Sequence, residues 1–207
     1  MPLQDYSELN AIQLDALCEI GNIGSGNAAS ALSTMLDKPV NIAVPKIKVL
    51  DYESVVEQLG GAENALVGLM LSLTGDVTGM IMFLLHKEFA HMVLQELTGG
   101  TLQIGTELDE MSRSAIMEVG NIMAASYVNA IASLTGLEIN ITVPDLCVDM
   151  VGAILSVPAI YYADISDKII FIEDEFNHKT DHAGSHVLLI PETQSLAKIM
   201  ASLGLDG

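Results

Sequence analysis

Four polar side chains recur as two pairs of equal spacing: Glu19 with Asn22, and Glu118 with Asn121. On a helix, positions i and i+3 project from one face, so each pair presents a carboxylate beside a carboxamide. Asp15 and Ser114 lie one turn earlier on the same faces. Asn does not titrate, so it is no acid or base. It donates and accepts at once, which suits it to orient a water molecule. Glu can pair with a cation on a partner. Phosphoryl transfer passes through a loose transition state in which positioning and electrostatics do most of the work. An amide that aligns water in line is then a sufficient catalytic group. The chain offers no evident metal site, nucleophile or base, so the substrate must bring the rest.

The pairs belong to a longer repeat. Residues 14–45 align with residues 113–144 without a gap, at a constant offset of 99. Identical positions include Ala16/Ala115, Glu19/Glu118, Gly21/Gly120, Asn22/Asn121, Ile23/Ile122, Ala31/Ala130, Asn41/Asn140, Val44/Val143 and Pro45/Pro144. Other pairs exchange one apolar residue for another, as at Leu17/Ile116 and Ile20/Val119. A purely structural repeat has no need to keep Glu and Asn. Nor does it need Gly21 and Gly120, since a mid-helix glycine costs about 1 kcal/mol against alanine. One reason to accept that cost is the close approach of another backbone. The offset divides the chain into repeats at about 7–105 and 106–205.

Each repeat predicts the same elements. A long helix comes first, with Leu14, Leu17, Cys18, Ala28, Leu32 and Met35 at three- and four-residue steps. Ser7 is the expected N-cap of the first helix. Thr106 takes that part in the second, with Glu107, Asp109 and Glu110 in its first turn. A strand with the shared proline follows (Val40–Val49 or Ile139–Met150), then a short amphipathic piece (Glu53–Leu59 or Ala153–Ala163). Two apolar strands come next, Leu66–Leu73 with Val77–Leu85, and Lys168–Glu173 with Val187–Ile190. Closing helices Lys87–Leu97 and Glu192–Leu203 stop at Gly99 and Gly204. Strands apolar on both faces require cover on both sides. The expected fold class is α+β: a single domain over residues 1–207, of two pseudo-symmetric halves, with a sheet of about six strands and two long helices on its surface.

Composition excludes several function classes. The formal net charge is −19, Lys and Arg number eight, and Arg113 is the sole arginine. Nucleic-acid binding requires clustered cations, and an anionic membrane surface also repels this chain. Ala65–Leu85 has the length of a membrane span, but Asp76 and the neighbouring glycines Gly75 and Gly79 divide it. A charge at mid-bilayer is costly, so two strands joined by a turn are expected and no membrane span. Cys18 and Cys147 have no metal-ligand spacing and are expected as two reduced, buried thiols in a cytoplasmic protein. Met1–Asp5 has no apolar run of the kind a signal peptide carries.

Asp15-x3-Glu19-x2-Asn22-x22-Pro45 and Ser114-x3-Glu118-x2-Asn121-x22-Pro144 resemble the (Asp/Ser)-x3-Glu-x2-Asn-x22-Pro signature of the CheC/CheX/FliY phosphatases, and the chain as a whole resembles the two-motif CheC type. The resemblance implies hydrolysis of phosphoaspartate on a CheY-type response regulator. Glu19 and Glu118 would pair with a lysine of the regulator, and Asn22 and Asn121 would orient the attacking water. Asp15, Ser114, Gly21 and Gly120 would support the site or docking, and Pro45 and Pro144 are structural members of the motif. No cofactor of its own is implied; Mg²⁺ is expected on the response-regulator substrate. A second implied partner is the receptor deamidase CheD. The alternative function is a non-catalytic adaptor that binds the regulator or CheD. Met123 and Ala125 replace Gly24 and Gly26. The second helix is therefore expected to be bulkier near its site, and the two sites unequal.

Two weaker patterns carry no function. Gly21–Gly26 is glycine-rich but lacks the Walker lysine and follows a helical pattern rather than a strand. His178, His182 and His186 are expected in a polar hairpin connection rather than in a metal site.

Overall fold

A computed structural model describes residues 5–99, 108–161, 168–178 and 181–205. The helix α1 spans Ala11–Leu36. Asn10 caps it: Asn10 Oδ1 accepts from the Gln13 N–H at 3.0 Å while Gln13 Oε1 accepts from the Asn10 N–H at 3.0 Å. This reciprocal box, rather than Ser7, starts the helix; Ser7 lies in a 3-10 turn capped by Asp5. The chain continues through β1 (Asn41–Ile42), β2 (Lys46–Asp51), α2 (Tyr52–Gln58), β3 (Ala65–Gly75), β4 (Gly79–Leu85) and α3 (Lys87–Thr98). The second half repeats this order with α4 (Glu110–Thr135), β5 (Ile139–Ile141), β6 (Asp145–Met150), α5 (Val151–Tyr161), β7 (Lys168–His178), β8 (Asp181–Pro191) and α6 (Thr193–Ser202). Asp109 caps α4 by accepting from the Ser112 N–H at 2.7 Å. The expected cap Thr106 and its neighbour Glu107 lie outside the described residues.

All the described strands join one antiparallel sheet. Its path runs β1-β7-β8-β4-β3-β5, with β2 also on β7 and β6 also on β3. The sheet is therefore six strands wide, as expected, but each outer position is two strands. A chain carrying proline cannot donate a ladder hydrogen bond there, and the break falls at Val44-Pro45 and Val143-Pro144. The outer strands are exchanged between halves: β2 pairs with β7, and β6 pairs with β3. Ala65–Leu85 forms the β3–β4 hairpin, not a span. Asp76 sits in its turn, where Lys198 Nζ donates to Asp76 Oδ1 at 2.6 Å and the Glu138 N–H to Asp76 Oδ2 at 3.0 Å.

The period of two along the strands feeds two cores. Val67, Leu69, Leu71, Ile81, Phe83, Ile170, Ile172, Val187 and Leu189 face α1, α3, α4 and α6. Leu66, Met80, Met82, Leu84, Phe171, Leu188 and Ile190 face the short helices α2 and α5. Each such side chain stabilises the fold by about 1.5–3 kcal/mol on burial. The two long helices lie side by side on the first of these faces. By length and composition α4 could cross a membrane, but more than half of its apolar window is buried in the core. The helices α3 and α6 end at Gly99 and Gly204 in the left-handed region, with φ of 69° and 74°.

Candidate functional site

Leu17, Ile20, Ala28 and Leu32 turn one face of α1 into the core and leave the opposite face to solvent. Asp15, Glu19 and Asn22 are all exposed along one stripe, and Ser114 and Glu118 are exposed on α4 with Asn121 half-buried beside them. Among the described residues, Glu19, Asn22, Glu118 and Asn121 make no side-chain hydrogen bond or ion pair. Each pair thus leaves a carboxylate and a carboxamide available to a partner.

The repeated proline lies beneath each pair. Pro45 and Pro144 are buried, while the valines before them are exposed. Around the second motif, Ser114, Met117, Glu118, Asn121, Ile141, Thr142, Val143 and Pro144 line one depression of about 400 Å³. Its floor is tied to β3. The Ser72 N–H donates to Thr142 Oγ1 at 3.0 Å, and the Thr142 N–H donates to the Ser72 carbonyl at 3.1 Å.

The motif glycines are buried and face inward, so Gly21 and Gly120 are not docking contacts. A Cβ on Gly21 would lie 2.8 Å from Ile47 Cδ1, and one on Gly120 would lie 2.8 Å from Leu69 Cδ1. It is strand side chains, not another backbone, that come close. The glycines seat each helix on the sheet and hold the Glu/Asn face at its height.

The crowding expected at Met123 and Ala125 does not arise at the site. Met123 is fully buried in the core. Gly24 faces α4, where a Cβ would lie 2.8 Å from Tyr127 Cδ1, and Ser25 Oγ and Tyr127 Oη are hydrogen-bonded at 2.7 Å. At the repeat-equivalent positions Met123 stands for Gly24 and Ala28 for Tyr127, so small and large side chains change places between the helices. Gly26 is open, with nothing within 4 Å of its Cβ position.

Neither cysteine is fully buried: Cys18 is half-buried and Cys147 is exposed. Partial burial, and then the Asp15 carboxylate, push the Cys18 thiol above its ordinary range. The histidine segment is also corrected. It is strand rather than loop: β7 runs to His178, β8 starts at Asp181, and His186 lies well inside β8. His186 is buried, its ring stacked on Phe171 at 5.1 Å, with its Nε2 3.1 Å from His86 Nε2. Burial, and then the neighbouring His86, lower its pKa from 6.5 to about 4. The partner of His186 is His86, the residue that follows β4 and holds the N-cap position of α3, and it gave no local signal. Among the described residues no group of three or more His, Cys, Asp or Glu could hold a metal ion.

Comparison with known proteins identifies the scaffold. The sequence profile described as the CheC-like family matches twice, over residues 12–49 and 111–148. The CheY-P phosphatase CheC of Bacillus subtilis (strain 168) is 32% identical over 204 residues, covering 96% of this chain and 97% of that protein. The flagellar motor switch phosphatase FliY of the same organism is 25% identical over 69% of this chain and 37% of that protein. The crystal structure of Thermotoga maritima FliY superposes with a TM-score of 0.74 at 22% identity, covering 97% of this chain and all of that one. Two family matches lying on the two motif helices, and similarity over nearly the whole length, show that this chain belongs to the CheC-like family.

Proposed function

We propose that the protein hydrolyses the phosphoaspartate of a CheY-type response regulator in chemotaxis signalling. The observation that carries this is the pair of Glu/Asn faces, three of their four side chains exposed and Asn121 half-buried, all without a hydrogen bond or ion pair among the described residues, at the two places where the family profile matches. The similar Bacillus protein is named as a CheY-P phosphatase. Glu19 and Glu118 engage a lysine of the regulator; Asn22 and Asn121 hold water in line with the phosphorus. The protein needs no cofactor of its own, and Mg²⁺ resides on the regulator. It acts in the cytoplasm, where its substrate is made.

The test is phosphate release from a phosphorylated response regulator by the Asn22→Ala/Asn121→Ala double variant. Loss of at least about 10²-fold is expected, the scale of misplacing a reacting group. Full activity of the folded variant would remove the water-orienting role. An adaptor that binds the regulator or the receptor deamidase CheD needs neither asparagine for chemistry, so wild-type protein that binds regulator without accelerating phosphate loss favours that alternative.

A further inference from the structure

Among the described residues, large apolar side chains exposed on the surface are few, and half of them come in repeat-related pairs. Ile12 is 65% exposed and Met111 67%; Val44 is 78% exposed and Val143 75%. Both pairs are separated by the repeat offset of 99. The other exposed large apolar residues among those described are Leu134, Met150, Ile160 and Tyr161. Their equivalents at the same offset are Met35, which is partly buried, Asp51, Gly61 and Ala62. Among the described residues, apolar exposure is thus duplicated only where the Glu/Asn motif is duplicated.

The placement is specific. Residues 12, 15, 19 and 22 follow steps of three, four and three along α1, so Ile12 heads the stripe that carries Asp15, Glu19 and Asn22. Met111 heads the matching stripe on α4. At the other end, Val143 lines the depression that holds Glu118 and Asn121. Val44 precedes Pro45, whose Cγ lies 3.8 Å from a Cβ position on Gly21, next to Asn22. Each motif therefore has an exposed apolar side chain above it on the helix and another below it on the outer-strand break.

We propose that Ile12 with Val44, and Met111 with Val143, are the apolar anchors that seat a receiver-type response regulator on each Glu/Asn face. This rests on the phosphatase reading. The occupant is chosen by complementarity: a carboxylate bracketed by two apolar side chains fits a protein surface with a cation inside an apolar rim. A chain of net charge −19 would be repelled by a second copy of itself at two further carboxylate-bearing faces. The anchors do more than add contact area. By excluding water around the Glu they strengthen its pairing with the partner's lysine, as a ring of near-neutral contacts does around a hot spot. Their effect is on docking, with the asparagine left to act on bound substrate.

The test uses Ile12→Gln, Val44→Ser, Met111→Gln and Val143→Ser combined in the full chain. All four positions are exposed, and unchanged circular dichroism and melting would confirm folding. Phosphate release is measured against the concentration of phosphorylated CheY-type regulator, and equilibrium binding is measured with beryllofluoride-loaded regulator. The expected result is a KM and a Kd each raised at least about tenfold with kcat changed less than about twofold. The conservative changes Val44→Ile and Val143→Ile, made alone in the wild-type chain, keep the apolar surface and should leave KM and Kd within about twofold of wild type; a loss as large as that of the quadruple variant would refute an apolar anchor. If the wild type hydrolyses but the folded quadruple variant keeps KM and Kd, the anchors are refuted and the phosphatase reading stands. If the wild type binds without hydrolysing and the variant binds more weakly, the anchors stand and the phosphatase reading falls. Absence of both binding and hydrolysis overturns both.

Discussion

Gly24 and Gly26 lie two residues apart on α1, and the structure gives them opposite stability effects on substitution by alanine. In a helix interior the change itself gains about 1 kcal/mol. At Gly24 the new Cβ would lie 2.8, 3.0 and 3.1 Å from Cδ1, Cγ and Cε1 of Tyr127. That ring cannot step aside. It is buried, its hydroxyl is hydrogen-bonded to Ser25 Oγ at 2.7 Å, and Phe83 packs on it with centroids 5.9 Å apart. Overpacking of this kind costs about 2 kcal/mol, so Gly24→Ala should be destabilised by about 1 kcal/mol net. At Gly26 nothing lies within 4 Å of the Cβ position, and the full gain of about 1 kcal/mol should appear. The two variants should then differ by about 2 kcal/mol, or about 4–8 °C in Tm for a chain of this size. Thermal melts and urea titrations read the difference. Phosphate release from a phosphorylated regulator, measured alongside, should be unchanged in Gly26→Ala. If Gly24→Ala is as stable as Gly26→Ala, the glycine is not there for Tyr127. If Gly26→Ala loses activity while its Tm rises, glycine serves the site after all.

Three further outcomes follow from the site and from the buried histidines. Asn22→Ala and Asn121→Ala should each leave residual phosphatase activity, and the two residual rates should sum to the wild-type rate, because separate sites keep separate turnover; loss of all activity in one single variant would mean one working centre. Glu19→Gln with Glu118→Gln should raise KM more than the asparagine changes do, since breaking a docked ion pair acts on binding; an untouched KM would exclude the lysine pairing. His186 has a folded pKa of about 4 against 6.5 when unfolded, so below pH 6.5 the unfolded chain takes up a proton that the folded one refuses. Stability should fall as pH drops from about 6.5 to about 4, by up to about 3 kcal/mol, and His186→Gln should flatten that slope in urea midpoints; an equal slope in both proteins would assign it elsewhere.

Local signals in the sequence were sufficient wherever one stretch of chain decides the outcome. The hydrophobic period placed α3 and α6 within a residue or two, and Gly99 and Gly204 marked their ends because a left-handed terminal residue favours glycine. The motif's spacing put Glu19 and Asn22 on one helical face, where they are. Caps were misplaced by a few residues, because Ser7, Asn10 and Thr106 are all acceptable cap types and only the Gln13 side chain makes Asn10 the better one. The polar stretch before Val187 hid the length of β7 and β8. Strand pairing across the hairpin, not local apolarity, extends them to His178 and Asp181. Long-range facts left no trace at all. Nothing near Gly24 in sequence announces Tyr127, and nothing near His186 announces His86, since these contacts join residues about 100 positions apart.

The exchange of outer strands bears on what a site is in this fold. The repeat suggests two self-sufficient halves, each with its helix, its proline and its pair. The pairing makes each motif depend on both. Pro144 follows the short strand β5, which pairs with Leu73, Thr74 and Gly75 of β3 in the first half. The next strand, β6, pairs with residues 65–70 of the same β3. Gly120, beside Asn121, is seated on Leu69 of that strand, and Thr142 is bonded to Ser72 on it. The first motif stands the same way on the second half, since β2, which carries Ile47 under Gly21, finds its ladder partners on β7. A lone half would therefore leave its outer strand unpaired and its motif helix without the floor that sets the height of the Glu/Asn pair. Two chemically separate sites are compatible with one inseparable scaffold, because the Glu/Asn side chains of each face lie on one helix while the position of each face is a property of the whole sheet.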